Sequence, residues 1–130
     1  MSKNRIHSKG KLIVHIILVS KYRKKILIRA IEKRLKLLIE EICKREKVLI
    51  LAMECDIDHI HILLEYPKNL SISYIVQKLK QETTYYIRKE FKCLNSFYYN
   101  KNILWNDGYF ANSIGNVSVE TAKNYIDNQG

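Results

Sequence analysis

Apolar residues along this chain change period several times, and each change marks an element. Residues 1–10 are polar and basic and predict a loose arm. Lys11–Ser20 is dense in Ile, Val and Leu, as a buried strand requires. From Ile28 the apolar positions fall at 28, 31, 35, 38, 39 and 42, one helical face with charges opposite. Val48–Cys55 and His59–Tyr66 read as two strands, and Asp56-Ile57-Asp58 suits the tight turn of a hairpin between them. After Pro67 and Asn69, Ser71 or Ser73 can cap a second helix. Its apolar residues at 72, 75, 76, 79 and 87 carry the helical period to about Phe91. Asn95–Asn102 is a polar and aromatic loop. Ile103–Ser113 holds Trp105, Tyr109 and Phe110 around Asp107-Gly108 and reads as a strand or hairpin. Gly115-Asn116 interrupts it, and Ser118 caps a final short helix with Glu120 in its first turn.

The order β-α-β-β-α-β-α predicts an α+β, ferredoxin-like (RRM-like) fold: a small antiparallel sheet with helices on one face and a further C-terminal helix. No linker or repeat divides the chain, so residues 1–130 are expected to form a single domain.

Charge narrows the partner class. The formal net charge is +10, and its distribution is lopsided. Residues 1–50 hold 15 of the 23 basic side chains and 4 of the 13 acidic ones. Such a surface releases counterions when it neutralises phosphates, which favours nucleic acid over a neutral partner; a merely lysine-rich solvated face is the alternative. Cys43, Cys55 and Cys93 are odd in number and lack CxxC spacing, which argues against a disulfide framework. The longest apolar run, Leu12–Val19, is too short to span a bilayer and lacks a small-residue cleavage site after it. A soluble, cytoplasmic protein is the expectation.

Candidate chemistry concentrates in two places. In a strand, His59 and His61 share a face while Ile60 and Ile62 take the other, so two imidazoles can converge on one metal at about 2 Å from each. Two half-exposed sheet histidines are the plain alternative. On the last helix Tyr125 and Gln129 are four apart and neighbours on one face. Val119, Ala122 and Ile126 form a small stripe that can seat that helix on the sheet. Tyr-x-x-x-Gln alone carries little weight in a chain with nine tyrosines. Zinc on Cys55, His59 and His61 is a further possibility, although no fourth ligand presents itself. Asp58 is expected to form the turn, its strand neighbourhood sending it away from the His59 side chain.

Asp-His-Ile-His-Ile-Leu-Leu at 58–64, Leu-Trp-Asn-Asp-Gly-Tyr-Phe at 104–110 and Lys-Asn-Tyr-Ile-Asp-Asn-Gln at 123–129 together resemble the single-tyrosine HUH transposases (TnpA-like) of small insertion sequences that move as single-stranded DNA. Ser20-Lys21-Tyr22-Arg23 and Leu79-Lys80 extend the resemblance over almost the whole chain. Gln81 departs from it, standing where the family often has glycine after Leu-Lys.

The resemblance implies that His59, His61 and Gln129 hold a divalent metal, Mg²⁺ or Mn²⁺, and that Tyr125 is the nucleophile. Cleavage would leave a 5′-phosphotyrosyl bond, which a 3′-hydroxyl can reverse without ATP. It further implies a homodimer on hairpin-ended single-stranded DNA, with the active site able to be shared between subunits. Lys21, Tyr22, Arg23, Lys24, Lys78, Lys80 and Arg88 are the candidate DNA contacts, with Tyr22, Tyr85 and Tyr86 available to stack on unpaired bases. Competing readings are a related HUH endonuclease acting on repeated genomic hairpins and a non-catalytic nucleic-acid-binding module, which would leave Tyr125 and Gln129 without a purpose.

Overall fold

The structure is a computed structural model and describes residues 11–114 and 119–127 of the chain. Strand β1 (Lys11–Val19) leads through a short 3-10 turn (Lys21–Arg23) to helix α1 (Arg29–Arg45). Strands β2 (Leu49–Cys55) and β3 (His59–Pro67) form the expected hairpin, followed by helix α2 (Ile72–Glu90). A 3-10 segment (Lys92–Ser96), strand β4 (Phe110–Ser113) and helix α3 (Val119–Asp127) complete the order. The four strands lie in the order β2-β3-β1-β4 with every neighbour antiparallel, the ferredoxin-like arrangement.

Period two divides the sheet into two chemically different faces. Val14, Ile16 and Leu18 of β1 and Ile60, Ile62 and Leu64 of β3 are fully buried on one face. They join Leu35 and Ile39 of α1 and Ile75, Val76 and Leu79 of α2 in the main core. Each such side chain contributes about 1.5–3 kcal/mol of burial before entropy is subtracted. Ser71 proves to be the cap of α2, its hydroxyl accepting from the Tyr74 amide at 3.0 Å. Ion pairs fix α1 against α2 in antiparallel register: Arg34 grips Glu90 with two bonds of 2.8 and 2.9 Å, and Arg45 grips Glu82.

The opposite face holds a smaller cluster. Ile13, Ala52 and Leu63 pack there against Ile126 of α3. The terminal helix therefore sits on the side of the sheet away from α1 and α2. Ile126 is the described anchor of the expected stripe; the side chains of Val119 and Ala122, like the caps at Ser118 and Glu120, lie outside the described residues.

One element departs from expectation. Only Phe110–Ser113 of the 103–113 stretch pairs as a strand, with Val14–Ile17 of β1. The rest is irregular because distant side chains take its acceptors. Lys80 donates to the carbonyls of Asn106, Asp107 and Gly108 at 2.7, 3.0 and 2.9 Å. Arg88 donates to those of Asn100 and Ile103 at 2.9 and 2.6 Å. Trp105 enters the core and donates its indole N–H to the buried Thr83 hydroxyl at 2.9 Å. Backbone groups satisfied this way need no ladder. Among the described residues no helix is long and apolar enough to cross a membrane.

Candidate nucleic-acid-processing site

His59 and His61 project from β3 onto the face that α3 covers, as alternation with Ile60 and Ile62 requires. Their ring centroids are 5.0 Å apart and the planes nearly perpendicular, at 73°. Two further groups close on this pair. The Asp58 carboxylate accepts a 2.7 Å hydrogen bond from His59 Nδ1. His15 of β1 stacks on His61, with His15 Nε2 and His61 Nδ1 3.0 Å apart. The bond to His59, followed by Arg23, holds the Asp58 carboxyl below its usual range. Burial, with lesser contributions from the neighbouring imidazoles, lowers the His61 pKa, and burial alone lowers that of His15. Neutral imidazoles at neutral pH result, the form a metal ligand needs.

Asp58 thus turns toward His59 rather than away from it. It lies in the turn before β3 begins, so strand alternation does not govern its direction. His15 was not singled out by the sequence. Its partner is 46 residues away, and only the β1–β3 register, which sets Ile17 opposite His61 and His15 opposite Leu63, brings the two together.

The Ser20-Lys21-Tyr22-Arg23 segment forms a strained turn beside this pair. Tyr22 and Arg23 both take left-handed backbone angles, φ 59° and 51°. Each costs on the order of 1–3 kcal/mol for a residue with a side chain. Tertiary bonds hold the turn: the Ser20 hydroxyl donates to the Lys24 carbonyl at 2.7 Å, and the Tyr98 hydroxyl donates to that of Lys21 at 2.8 Å. Burial pushes the Tyr98 phenol up to about 12, so it remains a donor. The outcome places the Arg23 guanidinium 3.8 Å from Asp58 and leaves the Tyr22 ring 70 % exposed.

Tyr125 lies on α3 and is 60 % exposed, next to the Ile126 anchor that seats the helix on the histidine face. Gln129 lies outside the described residues. Phe110 of β4 pairs with Ile17, which in turn pairs with His61, so all three share a row across the sheet. Its ring is 63 % exposed. An open recess of about 240 Å³, lined by Val19, Asn106, Gly108, Tyr109 and Phe110, adjoins this row where Val19 pairs with His59. The place of Phe110 beside the histidines is set by the β1–β4 register, which local sequence does not display.

The other candidate DNA contacts separate into two groups. Arg23, Tyr22, Tyr85 and Tyr86 are exposed, and Lys24 and Lys78 are partly so. Lys21 reaches Asp107 at 3.3 Å. Arg88 is a correction: it is buried, with its guanidinium spent on Asn95, Tyr98, Asn100 and Ile103. Lys80 is likewise occupied by three carbonyls. Arg88 shapes the surface from beneath rather than reaching a phosphate, whereas Lys80 stays partly exposed while it holds the turn.

The Cys55 zinc reading is also overturned. Cys55 pairs with Ile60 and so faces away from the histidines, its thiol directed to the carbonyls of Asp56 and Leu27. Burial pushes its pKa up to about 12, which keeps it from being a thiolate. Among the described residues no group of three or more His, Cys, Asp or Glu is placed to hold a metal.

Comparisons with known proteins agree on what this architecture is. The family model described as "Transposase IS200 like" matches residues 8–129. The transposases for insertion sequence element IS200 of Salmonella typhimurium and Salmonella typhi are each 30 % identical over 127 residues, covering 98 % of this chain and 82 % of theirs. The crystal structure of a candidate transposase from Deinococcus radiodurans R1 superposes with a TM-score of 0.75 at 25 % identity, covering 94 % of this chain and 93 % of that one. A REP-associated tyrosine transposase bound to a REP hairpin shares the fold, with a TM-score of 0.68 at 18 % identity over 92 % of this chain and 66 % of that one. With matches spanning nearly its whole length, the chain belongs to the IS200-like transposase family.

Proposed function

We propose that this transposase cleaves and rejoins single-stranded DNA at insertion-sequence ends, with Tyr125 as the nucleophile and His59, His61 and Gln129 as ligands of one divalent ion. The observation that carries the reading is the histidine pair. Two imidazoles stand side by side on the sheet face that also seats the tyrosine helix. With each Nδ1 in a hydrogen bond, each ring has its Nε2 left for a ligand. That donor set fits a borderline divalent cation with open positions for phosphate and water, Mn²⁺ readily and Mg²⁺ with more oxygen ligands. When bound, such an ion supplies charge neutralisation and orientation of a scissile phosphate.

The chain's own residues do the rest. Tyr125 Oη attacks phosphorus in line, forming the phosphotyrosyl bond as the P–O bond to the 3′-oxygen breaks, and the departing strand ends in a 3′-hydroxyl. The phosphodiester energy is conserved in the new ester, so attack by another 3′-hydroxyl regenerates Tyr125 and joins the strands. Arg23 stands beside Asp58 as an exposed cation for a flanking phosphate. Phe110 and Tyr22 offer aromatic faces to unpaired bases, and the recess at Tyr109 and Phe110 can take one beside the reacting bond. The fold shared with a hairpin-bound tyrosine transposase supports hairpin DNA as the partner. A homodimer in which α3 serves either its own or its partner's histidines is compatible with this chemistry.

The test is incubation with end-labelled single-stranded and duplex DNA from element ends, followed by a denaturing gel. Wild-type protein forms a covalent adduct with single-stranded DNA alone, Tyr125→Phe binds without forming it, and EDTA abolishes it. An adduct surviving in Tyr125→Phe removes Tyr125 from the reaction.

A further inference from the structure

We infer that Asp58 and His15 are positioning residues that hold His59 and His61 in the Nδ1-protonated tautomer, leaving both Nε2 lone pairs for the metal. The inference rests on the metal reading above and extends it to two residues outside the ligand set.

The chemistry at His59 is unambiguous. An ionised carboxylate only accepts, so the 2.7 Å contact requires the proton on His59 Nδ1. Arg23, 3.8 Å from the other carboxylate oxygen, helps keep Asp58 ionised and in place. At His61 the contact joins two imidazole nitrogens, which need one N–H and one lone pair between them. Only donation from His61 Nδ1 to His15 Nε2 leaves His61 a lone pair outside the contact. His15 must then carry its own proton on Nδ1. Stacking at 5.2 Å and 21° holds its ring in place for that bond.

His15 and Asp58 are not themselves arranged as further ligands. Among the described residues no cluster of three such side chains converges on a common point. Each instead turns a single acceptor toward the back of one imidazole. Such outer partners fix ring orientation and raise ligand basicity, and their loss typically weakens metal affinity about 10–100-fold.

The experiment measures Mn²⁺ affinity by electron paramagnetic resonance of the free ion, without DNA, on variants whose thermal melts match wild type. His15→Phe and Asp58→Ala each weaken binding by about 10–100-fold. His15→Gln and Asp58→Asn, which keep an acceptor oxygen, recover most of it. Imidazole ¹⁵N–¹H correlation spectra of the metal-free protein show His59 protonated at Nδ1, and a tautomer mixture in Asp58→Ala. Wild-type affinity in His15→Phe overturns the inference, as does a spectrum with the His59 proton on Nε2. Complete loss of binding in His15→Gln overturns it in favour of direct ligation by His15. Failure of wild-type protein to bind Mn²⁺ refutes the underlying chelate and the His15 assignment with it, while the His59 spectrum still judges the Asp58 assignment separately.

Discussion

Arg88 offers a test that separates what its sequence context suggests from what its surroundings require. As one basic residue on a helix in a DNA-acting protein it reads as a phosphate contact. In the fold it is only 4 % exposed, and its guanidinium makes four hydrogen bonds across residues 95–103 while lying over the Tyr98 ring. Replacement by Ala removes a charged donor and leaves acceptors to find water or go without. A hydrogen bond to a charged group contributes about 1.5–3 kcal/mol, and a buried polar group left without a partner costs about 1–3 kcal/mol. The bonds share one side chain and the connection can relax, so they do not add in full. The expected loss is about 3–5 kcal/mol, a large part of the 5–15 kcal/mol typical of a domain. With a urea m-value of about 2 kcal/mol/M this lowers the unfolding midpoint by roughly 2 M. Arg88→Lys recovers less than half, because an ammonium lacks the planar fork that serves separate acceptors. Urea unfolding measured alongside DNA binding at two salt concentrations decides the matter. A stability change under about 1 kcal/mol, combined with weaker binding and a shallower salt slope, would refute the reasoning.

The remaining expectations are simpler to measure. Ile126→Asp places a charge where α3 meets Ala52 and Leu63, so the helix releases from the sheet and adduct formation falls at least tenfold, with the global melt nearly unchanged. An equally active variant would show that this seating is unnecessary. Cys93 is exposed while burial pushes Cys43 and Cys55 to about 12, so iodoacetamide modifies one thiol quickly and two only after denaturation, as mass spectrometry can count. Hydrogen bonding to Arg45 lowers the Glu82 pKa. The pair's stabilisation is therefore complete above the unfolded carboxylate value of about 4.3 and is lost as pH falls through the lower folded value. Both side chains are partly solvated, so Glu82→Gln costs at most about 1 kcal/mol at pH 7 and less near pH 3, and an unchanged difference between those pH values would contradict the assignment.

Local pattern was enough for most of the scaffold and for the shared face of the candidate histidines. Alternation in Lys11–Val19 and His59–Pro67, and the helical period over Ile31–Cys43 and Ile75–Ile87, arise from burial that repeats along the chain, so composition alone displays them. The same alternation places His59 and His61 on one face, whereas the spacing of Tyr125 and Gln129 remains an expectation whose second member lies outside the described residues. The irregular path of residues 103–109 was hidden because its acceptors are satisfied by Lys80 and Arg88, more than a dozen positions away in most cases. Asp58 lay outside any periodic element, so no rule of alternation predicted its bond to His59. His15 acquired its role only from strand register, and α3 its sheet face only from a contact between Ile126 and residues of three different strands. Periodicity is a property of neighbours in sequence, whereas the surroundings of a reactive side chain are set by neighbours in space, and those exist only once the chain has folded.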